Sequence, residues 1–417
     1  MHETGSRDRA RRRTVWDSWG DALSRRLWLL DGNRLSAEAR RRTHLEDFGT
    51  PSIEPALSVL TRSLESEADL TPLGRFLMRM HLQGLLETRL RLTEAWRGQL
   101  EVADSSAIRR PLFITGMPRS GSTFLHELLT EDPDNRAPRV WEVMFPLPAP
   151  TSEHHGRDPR VRRAATCLWW FRRLAPQADS VFPMRAMTPH ECVAIHSYTL
   201  LSEEFISTCR IPSYEAFLHA ADLCPVYAWQ RRFLQHLQSR YPTRRWVLKS
   251  PDHVCGLEAL LAAFPDAVVI HTHRSPIEVL QSSCQLTEVL HGLFARPGKR
   301  EQLRARETRV LAERMERFIR FRDAHPELAG RFIDVTYSEL VAAPLAIVAR
   351  IYRELDVPLS DVALERMRHL VSARSRYQNR SATTTQADLG EPVREQSRRF
   401  EEYCSRFGLP WQQARLR

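Results

Sequence analysis

Residues 111–123 join a short apolar run to a glycine turn, and this pairing constrains the fold of the 417-residue chain more than any other feature. Pro111-Leu-Phe-Ile-Thr115 indicates a buried strand, and Gly116-Met-Pro-Arg-Ser-Gly-Ser-Thr123 leads from it into a helix over about 123–129. A glycine-bearing turn at this place directs several backbone N–H groups and the positive end of a helix dipole at one spot. The segment therefore predicts a phosphate-binding loop.

The spacing of this loop is similar to GxxxxGK[ST] of nucleoside triphosphatases, with one departure. Ser122 occupies the lysine position, and the cation of the loop, Arg119, lies three residues earlier. Those enzymes place the lysine on the β- and γ-phosphates, so ATP hydrolysis is disfavoured. Another P-loop nucleotide-binding protein, either kinase-like or a binding module without chemistry, stays open as the alternative. A kinase would also need acidic residues to bind Mg²⁺. The third strand ends in His273-Arg274 and offers no acidic residue there, which disfavours a kinase.

Three further apolar runs alternate with helical segments after the loop. They cover residues 245–249, 267–273 and 331–335. Strands that alternate with helices predict an α/β fold, a central parallel sheet flanked by helices. In such sheets ligands bind at the carboxyl ends of the strands, where the loop also lies.

The remaining segments predict two domains and one insertion. Residues 1–105 are expected to be a basic tail and an all-helical region, with Thr71-Pro72 as the start of one helix. Residues 106–417 are the expected α/β domain. An insertion at about 146–243, rich in Pro, His and aromatic residues, is expected to supply an acceptor pocket or lid, or else only a covering layer.

Composition limits the partners and the compartment. The net charge of +10 favours an anionic partner, but without a basic-aromatic module we expect no nucleic acid. No segment has the ~18 uncharged apolar residues of a membrane span, and no apolar signal stretch follows the basic start. Scattered cysteines without a CxxC pair favour a reducing, cytoplasmic location. Lys249 and Lys299 are the only lysines, and this arginine bias suggests a bacterial chain.

Arg119-Ser-Gly-Ser-Thr123 resembles the loop of P-loop sulfotransferases, in which a basic residue precedes Ser-Gly-Thr/Ser-Thr. The resemblance is to the bacterial branch. It implies transfer of a sulfuryl group from 3′-phosphoadenosine 5′-phosphosulfate (PAPS) to a hydroxyl of a small-molecule, lipid or carbohydrate acceptor. The product is 3′-phosphoadenosine 5′-phosphate (PAP), and no metal is implied. The residues implied to bind the donor here are Gly116, Pro118, Arg119, Ser120, Gly121, Ser122, Thr123 and, where other members stack an aromatic ring on adenine, Phe124.

The same resemblance implies a 3′-phosphate site made of an arginine at a strand end and a serine eight residues later. Arg274 and Ser282 have this spacing. A guanidinium offers a planar fork of donors to a phosphate, and a hydroxyl adds a neutral donor. Tyr337, which follows the fourth strand, matches the family's tyrosine beside the nucleotide.

Sulfuryl transfer requires positioning, a cation near the leaving phosphate and a base for the acceptor proton. Arg119, in the phosphate loop, is one expected cation. Lys249 is the other, because the family places a lysine or histidine beside the sulfate at the end of the second strand. Two residues compete as the base. We favour Glu142, expected to be partly buried with a raised pKa. The alternative is His253, which lies two residues beyond the histidine position of cytosolic members.

The acceptor itself is not determined by the sequence. Aromatic residues in the insertion are compatible with a lipid, a sugar, a phenol or a polyketide alcohol. His190 and Glu191, in a segment similar to one near the acceptor of bacterial members, are candidates to line the pocket. No oligomeric state follows.

Overall fold

The structure, a computed structural model, describes residues 15–97, 107–174, 184–378 and 400–410. Its centre is a five-stranded sheet in the order β2-β3-β1-β4-β5. All four neighbouring pairs are parallel. The strands are β1 (Leu112–Gly116), β2 (Asn135–Arg136), β3 (Arg245–Lys249), β4 (Val268–His273) and β5 (Phe332–Thr336).

The expected α/β class is confirmed, and each of the four expected strands is present. The first strand in the chain, β1, is the central one and pairs with β3 on one side and β4 on the other. The strand order therefore reverses beside β1, at the point where open parallel sheets bind ligands. The sequence did not indicate β2, an edge strand of two residues that is too short to show a periodic pattern.

Helices cover both faces of the sheet and form the N-terminal region. They are α1 (Val15–Leu27), α2 (Gly32–Thr43), α3 (Glu54–Ser66), α4 (Pro72–Arg97), α5 (Ser122–Leu129), α6 (Val140–Met144), α7 (Pro159–Leu174), α8 (Val193–His196), α9 (Glu203–Thr208), α10 (Pro212–Ala220), α11 (Cys224–Gln238), α12 (Leu257–Ala263), α13 (Pro276–Phe294), α14 (Arg300–Ala324), α15 (Tyr337–Ala342), α16 (Pro344–Glu354), α17 (Asp361–Gln378) and α18 (Glu401–Arg406).

Helix α4 begins as its sequence indicates. Pro72 is its first residue, and the Thr71 hydroxyl accepts a hydrogen bond from the Gly74 backbone N–H at 3.0 Å. Proline suits this position because the first helical N–H has no partner within the helix. The backbone of Thr71 also donates to Phe294 O at 2.9 Å, which fixes the start of α4 to the end of α13.

The N-terminal helices and the insertion share one hydrophobic core with a face of the sheet. Arg89 on α4 joins these regions because it is almost fully buried and donates to Phe48 O and Tyr198 O, each at 2.7 Å. Its guanidinium carbon lies 4.0 Å from the Trp229 ring centroid. Burial lowers the Arg89 pKa to about 9. The division into domains at residue 105 stays a prediction.

Within the described ranges, no helix combines the length and the apolar character that crossing a bilayer requires.

Candidate active site

The loop after β1 has the backbone conformation of a tight anion-binding turn. Gly116, Arg119 and Gly121 all have positive φ, at 136°, 65° and 90°. A Cβ on Gly116 would lie 2.4 Å from Thr272 O, and one on Gly121 would lie 3.0 Å from the Tyr337 ring. Both glycines are therefore required, by backbone conformation and by close packing.

Some side chains of the loop are buried in the protein, and others are exposed. Ser120 is fully buried, and its hydroxyl donates to Met117 O at 2.6 Å and lies 2.6 Å from Thr272 Oγ1. Ser120 can therefore offer a ligand only its backbone N–H. Pro118 precedes Arg119 in the turn. Ser122, which is buried, is the first residue of α5, and the exposed Thr123 follows it.

Arg119, Arg274 and Ser282 come together at the mouth of this loop. Arg119 Nε donates to Ser282 Oγ at 3.0 Å, and an Arg274 terminal nitrogen donates to Arg119 O at 2.7 Å. Burial and the neighbouring charge of Arg274 lower the Arg119 pKa. Two guanidinium groups this close repel each other, so the place favours a multiply charged anion.

Tyr337 completes the wall of the loop. The Arg274 guanidinium carbon lies 4.1 Å from the centroid of its ring, a cation–π distance. Arg274 Nε also pairs with Glu278 Oε2 at 2.9 Å on the first turns of α13. Phe124 is half-buried and packs against the apolar cluster that includes Leu125 and Leu128.

A buried cluster under Arg274 fixes the end of β4. His273 Nε2 lies 2.9 Å from Asp334 Oδ1, and His273 Nδ1 lies 2.7 Å from Tyr403 OH on α18. His271, His273 and Asp334 each offer a ligand atom within 4.8 Å of the others, the spacing of a metal site. The cluster is hydrogen-bonded within itself, and Arg322 donates to Asp334 at 3.3 Å. It therefore has the features of a structural support for the neighbouring Arg274.

Lys249 lies on the other side of the loop, at the end of β3. Its ammonium group donates to Thr123 Oγ1 at 3.1 Å and forms an ion pair with Glu191. The Lys249 side chain is only 3% exposed, so this charge has little access to water. Cys192 N donates to Lys249 O at 2.9 Å, and this bond holds Glu191 beside the strand end. Sequence reasoning named Glu191 only as a pocket residue, because its contact with Lys249 spans 58 positions.

Glu142 has a different environment from the one expected. It is fully buried on α6 and accepts hydrogen bonds from Arg136, from the Arg139 backbone N–H at 2.8 Å and from His155 at 3.1 Å. Burial opposes ionisation, but the charges and donors of Arg136 and His155 outweigh it and lower the Glu142 pKa. The expectation of a raised pKa is therefore wrong, because the sequence does not reveal Arg136 and His155 as partners.

His253 is also fully buried, in the 3₁₀ turn Pro251–Cys255. Its Nδ1 lies 2.9 Å from Tyr227 OH, and its Nε2 has no hydrogen-bond partner. Burial lowers the His253 pKa to about 3, with added repulsion from His196 and Lys249 and an opposing effect of Asp252. His253 is therefore neutral at pH 7.

Polar side chains continue from Lys249 and Glu191 toward α4. The His190 pKa is lowered by burial and by Lys249, while Glu191 and Glu204 raise it. Glu204 Oε1 in turn lies 2.8 Å from His81 Nε2 on α4. These residues form a row from the phosphate loop to α4, which we call the acceptor row: Lys249, Glu191, His190, Glu204 and His81.

The two halves of the site offer different groups to a ligand. The Arg119–Arg274–Ser282 side supplies positive charge and donors for phosphate, and the loop supplies backbone N–H groups. Lys249 and Thr123 supply donors on the opposite side, next to the row of polar groups.

Comparison with known proteins identifies relatives of this chain. A family model described as "Sulfotransferase family" matches residues 111–361. The omega-hydroxy-beta-dihydromenaquinone-9 sulfotransferases Stf3 of Mycobacterium bovis and Mycobacterium tuberculosis are each 27% identical over 305 residues, or 68% of this chain and 72% of each relative.

Two solved structures cover still more of the chain. The sulfotransferase STF1 of Mycobacterium tuberculosis H37Rv is 31% identical, with a TM-score of 0.75 over 89% of this chain and 98% of its own. STF9 of Mycobacterium avium is 26% identical, with a TM-score of 0.77 over 91% of this chain and 97% of its own. Because the family model extends over more than half of the sequence, from the strand before the loop to the first residue of α17, the chain belongs to the sulfotransferase family.

Proposed function

We propose that this sulfotransferase uses PAPS as its donor and a lipid-type alcohol as its acceptor. The observation that carries the donor assignment is the meeting of Arg119, Arg274 and Ser282 beside a loop whose backbone has the left-handed turns of a phosphate site. PAPS would supply the sulfuryl group on its 5′-phosphate, and the residues below would bind, orient and deprotonate.

Arg274, Ser282 and Arg119 are proposed to bind the 3′-phosphate. The first two follow the family spacing, and Arg119 joins them through its bond to Ser282. The backbone N–H groups of the loop from Pro118 to Thr123, proline excepted, are proposed to bind the 5′-phosphate at the N-terminus of α5. Gly116 provides the close approach of the loop to β4, and Tyr337 lies beside the nucleotide. Phe124 remains the candidate to contact adenine.

Lys249 and Thr123 are proposed to stabilise the charge that develops as the sulfuryl group moves. Lys249 is a compact cation held in a buried position, where a charge interacts more strongly than it does in water. This fixed charge needs no reorganisation during the reaction, which is the condition for a large electrostatic contribution.

Glu191 is proposed as the base, in place of Glu142 and His253. It lies next to Lys249 and is partly accessible, with 15% of its side chain exposed, whereas Glu142 is fully buried with three donors on its oxygens. His253 is also fully buried, so it has less access to an acceptor hydroxyl than Glu191 has. The Glu191 carboxylate, held beside Lys249, is proposed to accept the proton of the acceptor hydroxyl while Lys249 stays in place.

The lipid class of the acceptor rests on the relatives and on the chemistry of the insertion. The named Stf3 relatives act on an omega-hydroxy menaquinone derivative. In this chain the acceptor row leads from the donor loop to α4, whose outer face carries exposed apolar side chains. An acceptor with a long apolar body and one terminal hydroxyl fits this arrangement. The cytoplasmic location and the absence of a metal requirement stay predictions.

The experiment has two parts. A thermal-shift titration with PAP, next to AMP and ATP with Mg²⁺, tests the donor site, because a ligand that binds only the folded state raises the midpoint. We expect a shift with PAP and little with the others; a shift with ATP–Mg²⁺ alone would return the kinase-like alternative. Radiolabelled sulfuryl transfer is then measured to farnesol, to a simple phenol and to glucose. Transfer to the phenol or the sugar and none to farnesol would contradict the lipid class.

A further inference from the structure

An apolar face lies on the outside of the N-terminal helices. Leu23 and Leu27 on α1, with Leu73, Phe76 and Met80 on α4, are between 37% and 57% exposed. The spacings of four in α1 and of three and four in α4 place them along one side of each helix. The two helices pack together, and the ring centroids of Trp28 and Phe76 are 5.2 Å apart. These five are half of the ten exposed large apolar residues in the described part of the chain, so exposed apolar surface is concentrated on this face.

Basic residues border this apolar face. Arg25 and Arg26 are exposed on the last turn of α1, beside Leu27. As a matter of sequence alone, the residues that precede α1 include Arg7, Arg9 and Arg11-Arg12-Arg13 within seven positions, against one aspartate. The nearby Asp21 carboxylate is bound by Arg296 at 2.7 Å, so its charge is compensated. Apolar side chains bordered by arginines are complementary to an anionic bilayer surface.

Helix α4 connects this face to the active site. Met80 is exposed on the apolar face, and the next residue, His81, pairs with Glu204 in the acceptor row. A lipid that left the bilayer beside Met80 would therefore meet polar side chains that lead toward Lys249.

We propose that the face formed by Leu23, Leu27, Leu73, Phe76 and Met80 docks on an anionic lipid bilayer, from which the acceptor enters. This inference rests on the proposed lipid class of the acceptor, but the docking itself does not require turnover.

The test is cosedimentation of the full-length protein with vesicles of phosphatidylcholine alone or mixed with phosphatidylglycerol. We expect binding to the anionic vesicles that is about tenfold stronger than to the neutral ones and that falls as salt is added. The double variant Leu23→Ser/Leu27→Ser should bind at least ~10-fold more weakly, because it removes the two exposed leucines of α1 that belong to this face. Val362→Ser, on exposed Val362 of α17, is the matched control and should bind as the unmodified protein does.

Three outcomes would overturn the proposal. The unmodified protein could fail to bind either vesicle, the double variant could bind as well as the control, or sedimentation could show a dimer that only the double variant dissociates. The last result would assign the face to a second copy of this chain. The thermal shift with PAP is measured on the same samples. If the unmodified protein shows no shift with PAP, the proposed function is contradicted. If it shows the shift but does not bind vesicles, only the docking is contradicted.

Discussion

The proposed donor side and the proposed acceptor side of the site differ in how their charges are compensated. On the donor side, Arg119 and Arg274 lie together, with Glu278 as the carboxylate that pairs with Arg274. On the acceptor side, each charge has a close opposite partner: Lys249 with Glu191, and His81 with Glu204. The donor side therefore favours an anion from solution, while the acceptor side is balanced before any ligand binds.

This difference separates the effects of substitution. Removing a donor-side cation weakens attraction for the nucleotide, but relieves repulsion within the protein. Removing a charge on the acceptor side, or from the buried Glu142–Arg136 pair, leaves a partner uncompensated. Binding, turnover and stability should thus respond to different residues.

The largest effect is expected from Glu191→Gln. Loss of the proton acceptor should reduce kcat by roughly 10²–10⁴-fold, the usual contribution of a general base. PAP affinity should stay within about threefold, because the donor-side contacts remain. Initial rates with saturating donor and PAP titrations check this. A variant that loses PAP binding in proportion to its rate would place Glu191 on the donor side.

Glu142→Gln should instead act on stability. It leaves the buried Arg136 charge without its carboxylate, and we expect a loss of about 2–4 kcal/mol in the free energy of unfolding at pH 7. Since folding lowers the Glu142 pKa, its contribution is present above the ordinary value of 4.5 and is lost as the pH falls through the folded value. Urea unfolding at several pH values measures both. Intact stability with abolished turnover would restore Glu142 as the base.

Arg274→Ala should weaken PAP binding by about 10–100-fold, the equivalent of one or two charge-assisted hydrogen bonds. Arg274→Lys should recover only part of the affinity, because an ammonium group lacks the planar fork and its contact with the Tyr337 ring. Arg353→Ala, on exposed Arg353 of α16, is the control. Calorimetric titration distinguishes these variants, and equal affinities in all of them would remove the 3′-phosphate assignment.

The smallest effect is expected from His81→Asn on the acceptor side. Burial disfavours the charged form of His81, but the neighbouring Glu204 carboxylate raises the His81 pKa above 6.5. The ion pair is therefore fully formed below pH 6.5 and is lost as the pH rises through the folded value. The pair is partly exposed, so the loss at pH 6 should be below about 1 kcal/mol and should vanish at pH 9. An equal loss at both pH values would mean that His81 acts through packing.

The two sides also differ in how far the sequence predicts them. The loop and Arg274–Ser282 are short contiguous motifs at strand ends, and the topology of a parallel sheet brings strand ends together. Their positions therefore followed from order in the chain. Tyr337 and Lys249 were predicted from their resemblance to the family, and they too lie at strand ends, after β5 and in β3.

The acceptor side depends on contacts between distant segments. Glu191 meets Lys249 across 58 positions, and Arg136 and His155 meet Glu142 through a loop and a short strand with no periodic pattern. Burial and ion pairs of this kind set the protonation state of Glu142 and His253, so residue type alone could not give it. The same limit applies to β2, whose two residues gain their strand geometry from pairing with β3.

The hydrogen bond between Arg119 and Ser282 has a consequence for product inhibition. Arg119 Nε donates to Ser282 Oγ, so the Ser282 hydroxyl can still donate its own hydrogen to a phosphate without breaking this bond. If both side chains bind the 3′-phosphate, the pair is ordered before the nucleotide enters, which reduces the entropic cost of binding. Because PAP and PAPS carry the same 3′-phosphate, this contact would retain the product as well as the donor, and the release of PAP would then limit turnover.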